Sequence, residues 1–145
     1  MKQTRQNVLC FDFGLVHIGV AITDLETCIV HPLTTIDYRN KQTAHKQIDE
    51  LIHQWNPLEI IVGQPSDESP QTMLRGIKQF INHLAKHSIP VSKMDEAYSS
   101  YEAKNLLKQQ RNAHFRSTIK KGEVDKIAAC LILESWIINT QWKYK

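Results

Sequence analysis

The 145-residue chain predicts an α/β fold: a five-stranded mixed sheet, three antiparallel meander strands plus two parallel ones, with helices on both faces. Three observations carry this. Three β-rich runs follow one another closely in the first quarter of the chain. From Lys41 the apolar period lengthens to three and four. Beyond it, short β-branched runs alternate with amphipathic helices, the pattern that builds parallel strands with covered faces.

Taken in order, Val8–Phe13 and Ile18–Thr23 read as paired strands joined by a tight turn at Gly14. Thr27–Ile36 reads as a third strand, and Pro32 marks it as an edge strand or a bulge, because proline has no amide to give to a ladder. Lys41–Trp55 reads as a helix whose stripe is Ala44, Ile48, Leu51, Ile52 and Trp55, stopped by Asn56-Pro57. Glu59–Val62 reads as a buried parallel strand bounded by Gly63-Gln64-Pro65. Ser66–Pro70 is a polar turn, in which Ser69 is expected to cap a helix beginning at Pro70. That helix turns Leu74, Ile77, Ile81 and Leu84 inward. Ile89–Met94 reads as the last strand, ending at Asp95-Glu96. Ser100–Gln110 reads as helical, Asn112–Lys121 as a basic loop, and Gly122–Thr140 as a final helix, apolar around Ile127, Ala128, Leu131 and Ile132.

The order β-β-β-α-β-α-β-α-α is that of RNase H-like three-layer domains. Actin-like ATPases share the core but need two such units to close on a nucleotide, and one domain across 1–145 is the simplest division of this length. A chain of this size buries roughly 68–70% of its unfolded surface, enough for a core without disulfides or structural metal. The composition, 41% hydrophobic and 23% charged with a net charge of +3, is that of a soluble globular protein and is compatible with a polyanionic partner without demanding one. Cys10, Cys28 and Cys130 are widely spaced in apolar contexts and read as reduced core filler. The polar start, Met1 to Asn7, lacks a signal-peptide pattern, and no apolar run approaches the roughly 20 residues that span a bilayer, so a cytoplasmic protein is expected.

The chemistry rests on acidic positions. Asp12 sits inside the apolar run Val8-Leu9-Cys10-Phe11-Asp12-Phe13, where an ionised carboxylate needs compensation from a cation or from loop amides. Asp95-Glu96 lies where the last strand ends, and Asp125 lies at the start of the last helix. Each alone has a plain structural reading: a turn bond for Asp12, a solvated strand end for Asp95-Glu96, a favourable helix start for Asp125. Together, in a sheet whose first and last two strands are neighbours near the middle, they converge. Three carboxylates so placed repel one another unless divalent cations lie between them, and hard oxygen donors suit Mg²⁺ or Mn²⁺.

From Lys104 to Lys126 the chain carries Lys104, Lys108, Arg111, Arg116, Lys120, Lys121 and Lys126 against Glu123 and Asp125. A charge run is usually a solvated face, but this one flanks the proposed acidic site, where a phosphate backbone would run. Asn112, His114 and Phe115 add a possible stacking surface. The seven histidines are scattered and show no metal-ligand spacing, so they read as surface or core residues; His17 alone stands out, on the hairpin beside Asp12.

These residues resemble the YqgF/RuvX family of Holliday-junction-resolvase-like proteins, also described as nucleases that mature the 5′ end of pre-16S ribosomal RNA. The resemblance spans about residues 8–138. It is carried by Asp12-Phe13-Gly14 with His17-Ile18-Gly19-Val20-Ala21-Ile22-Thr23-Asp24, by Pro32-Leu33, by Val62-Gly63-Gln64-Pro65, by Asp95-Glu96-Ala97-Tyr98-Ser99-Ser100, and by Val124-Asp125-Lys126-Ile127-Ala128-Ala129 running on to Leu133. It implies an RNase H-like fold and divalent-metal cleavage of phosphodiesters. It puts the metal-site role on Asp12, Glu96 and Asp125, with Asp95 as a fourth candidate. Strand alternation puts Asp95 and Glu96 on opposite faces, so at most one need point inward, and Glu96 is the favoured one. The family arginine after the first turn is His17 here, the arginine after Asp-Glu is Ala97, and Glu68 stands where a glycine usually follows Asp67. His17 can still donate a hydrogen bond to phosphate; Ala97 cannot.

The expected function is therefore a metal-dependent endonuclease processing the 5′ end of pre-16S rRNA, with weak intrinsic activity and contact to ribosomal precursor particles. The alternatives are a Holliday junction resolvase acting on branched DNA, for which the two-fold symmetry of a four-way junction asks for a homodimer rather than a monomer, and a non-catalytic nucleic-acid-binding assembly factor. No membrane partner is expected.

Overall fold

The computed structural model describes residues 6–95 and 121–140, with side chains for 6–94 and 126–140. The strands are β1 (Asn7–Asp12), β2 (His17–Asp24), β3 (Val30–Asp37), β4 (Glu59–Gln64) and β5 (Val91–Asp95). The helices are α1 (Lys41–Trp55), α2 (Gln71–Leu84) and α3 (Lys121–Thr140), with a 3₁₀ turn at Ala85–His87. The expected helix over Ser100–Gln110 and most of the basic loop lie outside the described residues.

The sheet order is β3-β2-β1-β4-β5. β1–β2 and β2–β3 are antiparallel, while β1–β4 and β4–β5 are parallel, as the meander and the crossover helices require. β1 is central and β4 adjoins it; β5 is an edge strand, not a middle one.

Alternation along β1 divides the core. Leu9, Phe11 and Phe13 face α1 and α2 with Ile18, Val20, Ile60, Val62, Ile48, Ile77 and Phe80. Val8 and Cys10 face α3 with Ala21, Ile61, Ala129, Ile132, Leu133 and Trp136. Every element is thus covered on its apolar side, giving three layers.

The edge position of β3 agrees with Pro32. The register shifts between Val20 and Ala21, which pair with Thr34 and Pro32, so Leu33 is the extra residue of a β-bulge. Helix α1 starts at Asn40, whose side chain accepts from the Thr43 amide at 3.2 Å. It ends at Asn56 in the left-handed conformation (φ 43°), with its amide on the Ile52 carbonyl.

Ser69 does not cap α2. Pro70 is the cap residue, extended at ψ 150°, and no side chain bonds the free amides. Its carbonyl takes the first helical bonds from Met73 and Leu74 instead, which leaves Ser69 one position too early. Along α2 the buried residues are Gly76, Ile77, Phe80 and Leu84; Ile81 is partly buried against the same core. Phe80 meets Phe11, Phe13 and Tyr38, with ring centroids 5.5, 5.3 and 6.1 Å away. Of the cysteines only Cys10 is core filler; Cys130 is half-buried, and Cys28 is exposed in a left-handed turn conformation (φ 58°).

Candidate active site on the α3 face of the sheet

Asp12 is the last residue of β1 and continues the Val8–Cys10 side of that strand, so it faces α3. In the ladders it stands between two glycines, Gly19 of β2 and Gly63 of β4. Its Oδ1 is fully buried. A Cβ built on Gly63 would lie 3.6 Å from that oxygen and only 2.5 Å from Cδ1 of Ile132 in α3. The glycine therefore keeps room beside the carboxylate and lets α3 press against the sheet. Asp12 also acts on its strand neighbour: the Cys10 thiol is pushed well up, first by burial and then by the Asp12 charge.

The turn that presents Asp12 depends on Gly14, where a Cβ would sit 2.5 Å from the His17 carbonyl oxygen. After that turn, His17 opens β2. It lies two residues before Gly19 and hence on the same face as Asp12. His17 also pairs in register with Asp37 of β3, whose carboxyl is held well below the usual range, chiefly by hydrogen bonds from Arg39.

The remaining predicted residues are placed by backbone. Asp95 ends β5, paired with Gln64, and Met94 pairs with Gly63 and packs into the α3-side core. Asp125 is the fifth residue of α3, four before Ala129 and seven before Ile132. Lys121 begins that helix and Lys126 is half-buried on it. Glu96, Lys104, Lys108, Arg111, Arg116 and Lys120 lie outside the described residues. Gly63, which the sequence places in a bounding turn, lies within β4, and the strand runs through it to Gln64.

On the opposite face, the histidines are not scattered. His83 and His87 converge on Asp49, with all three ligand atoms within 4.8 Å of one another.

The family model for RuvX, Holliday junction resolvase, matches residues 6–139. This chain belongs to the RuvX family. A protein of Legionella pneumophila described as "Putative pre-16S rRNA nuclease" is 41% identical over 136 residues, covering 92% of this chain and 96% of its own. A protein of Nitrosospira multiformis with the same description is 37% identical, covering 88% and 85%. Among solved structures, Thermus thermophilus RuvC in complex with a Holliday junction substrate aligns with a TM-score of 0.62 at 11% identity, covering 93% of this chain and 96% of that one. The fowlpox virus Holliday junction resolvase aligns at 0.57 and 12%, covering 93% and 99%. At such identities the likeness is one of fold, and it is the RNase H-like arrangement that the order of elements predicts. The RuvX chain is thus a member of a nuclease family. No helix among its described residues is long and apolar enough to cross a membrane.

Proposed function

We propose that this RuvX protein is a divalent-metal-dependent endonuclease acting on structured RNA, processing the 5′ end of pre-16S rRNA, with one nuclease unit across 1–145. The observation that carries this reading is the Asp12 carboxylate, its Oδ1 buried at the end of the central strand between Gly19 and Gly63. Burying a carboxylate there is costly unless a positive group shares the space. A hard oxygen donor with glycine on both flanks fits Mg²⁺ or Mn²⁺. Asp12, Glu96 and Asp125 would hold the ion. Met94 faces α3, so continued alternation favours Glu96 over Asp95. Asp125 stands four residues before Ala129 and seven before Ile132, a helical spacing that supports its place in this set. When bound, such an ion lowers the pKa of water and stabilises the leaving oxygen of a phosphodiester.

The chain's own residues supply the rest. His17, on the Asp12 face, donates a hydrogen bond to a phosphate oxygen. Lys104, Lys108, Arg111, Arg116, Lys120 and Lys121 attract and hold the backbone. The relatives described as "Putative pre-16S rRNA nuclease" at 37–41% identity favour RNA; the protein would meet it in the cytoplasm, on ribosomal precursor particles. The Holliday junction resolvase description of the family favours branched DNA as the second reading, with a homodimer in place of a monomer.

The test is cleavage of a pre-16S leader RNA and of a four-way DNA junction by the purified protein with Mn²⁺. Cleavage of the leader, lost in Asp12→Asn, supports the proposal. Junction cleavage alone moves the substrate to DNA. Nucleic-acid binding without cleavage, unchanged in Asp12→Asn, would show an assembly factor that keeps only the fold.

A further inference from the structure

We propose that Asp49, His83 and His87 form a second metal site, for a zinc-type divalent ion, on the face of the sheet opposite Asp12. The three residues come from α1, the last turn of α2 and the 3₁₀ turn that follows it. His83 Nε2 lies 2.8 Å and His87 Nε2 2.7 Å from the same oxygen, Asp49 Oδ1. The 3₁₀ turn continues the helical path from Leu84, so His87 comes round four residues after His83 on one side. Ser88 then ends the turn in the left-handed conformation (φ 58°).

The rings are held from behind. His45 stacks on His83 with centroids 4.0 Å apart and planes 14° from parallel. His45 Nε2 is in turn bonded to the Tyr38 hydroxyl at 2.9 Å. This stacking restrains the plane of the His83 imidazole. Burial raises the Asp49 carboxyl, but the hydrogen bonds from His87 and His83 outweigh it, and its pKa is lowered.

Two imidazole nitrogens and one carboxylate make a donor set of intermediate softness, which suits Zn²⁺, Co²⁺ or Ni²⁺ and not Mg²⁺. In a tetrahedral zinc site neighbouring donor atoms lie roughly 3.3 Å apart, given bonds of about 2.0 Å. The two histidine–Asp49 spacings need to open by only about half an ångström to admit the ion, and the two imidazole nitrogens lie within 4.8 Å of each other. On binding, each Nε2 gives its lone pair to the ion; its proton moves to Nδ1 through solvent, or is released if the ring was charged. Three protein ligands leave one position open. Asp49 and His87 border a surface depression shared with Ile52, His53, Asn56 and Ile89, which provides entry and a place for water.

Such an ion would tie α1 to α2 and take no part in cleavage, since the sheet separates it from Asp12. The test is calorimetric titration of the full-length protein with Zn²⁺ in excess Mg²⁺, with thermal unfolding and Co²⁺ absorption alongside. One equivalent of Zn²⁺ should bind and raise the unfolding midpoint. His83→Gln, His87→Gln and Asp49→Asn should each lose this, while Asp12→Asn keeps it. Asp49→Asn preserves an acceptor for both rings, so it remains informative if a histidine variant folds poorly. The Co²⁺ spectrum should show nitrogen and oxygen ligands without a thiolate charge-transfer band. No binding, binding unchanged in the three variants, or a thiolate band lost in Cys28→Ser would overturn the site.

Discussion

Gly63 stands beside Asp12 in the parallel ladder, and a methyl group on Gly63 would come within 3.6 Å of the buried Asp12 Oδ1. The same methyl would collide with Ile132 Cδ1, at 2.5 Å. One glycine thus sets both the space beside the carboxylate and the closeness of α3. Gly63→Ala should destabilise the protein by about 1–3 kcal/mol, the usual cost of overpacking a filled core. Adding Ile132→Val removes the colliding methyl and should recover part of the loss. Urea unfolding of the single and double variants measures the coupling.

His17 opens β2 on the Asp12 face. A guanidinium there can make charge-assisted bonds to phosphate, each contributing about 1.5–3 kcal/mol. His17→Arg should therefore raise kcat/KM on the RNA substrate by about tenfold or more. The gain should shrink as salt rises, because counterions compete for the same phosphates. A salt series on both proteins reads this directly.

Phe80 is fully buried and touches three other aromatic rings. Phe80→Ala removes the centre of the α1/α2-side core and should cost about 3–5 kcal/mol. Denaturation at constant pH checks it. Because Phe80 lies across the sheet from Asp12, the folded fraction of the variant should keep its specific activity.

The Cys130 thiol is pushed from 9.0 up to about 11, first by burial and then by the Glu134 charge. A raised folded-state pKa means the native state holds its proton longer than the unfolded chain does. Stability linked to this thiol is intact below pH 9 and is lost as the pH climbs toward 11. Cys130→Ala should therefore show a flatter fall in unfolding free energy between pH 9 and 11 than the wild type. Iodoacetamide at pH 8 should modify exposed Cys28 well before Cys130 or Cys10.

Most of the architecture is legible in the sequence because period and punctuation agree. The apolar run around Asp12 places it on a strand, the three-and-four spacing after Lys41 matches α1 to the residue, and Pro32 signals an edge or a bulge, of which the structure shows both. What escaped depends on contacts distant in sequence. Gly63 looks like a turn residue until its ladder partner is known to be Asp12. Phe80 falls outside a stripe drawn through Leu74 and Ile81, although it is the residue nearest the sheet's aromatic cluster. Ser69 has a capping side chain, but the extended Pro70 takes the capping position. The histidines read as scattered because His83 and His87 gain meaning only with Asp49, which lies 34 residues before His83 and is supplied by the packing of α1 on α2.

The bulge at Leu33 has a consequence beyond β3 itself. A flat outer strand offers its amides and carbonyls to any other strand that meets it. Here the rim is kinked at Leu33, and Pro32 beside it has no amide to give, so a second chain cannot extend the sheet in register along that border. Two copies brought together by a two-fold-symmetric nucleic acid would have to meet elsewhere. On that side, the protein is built to end.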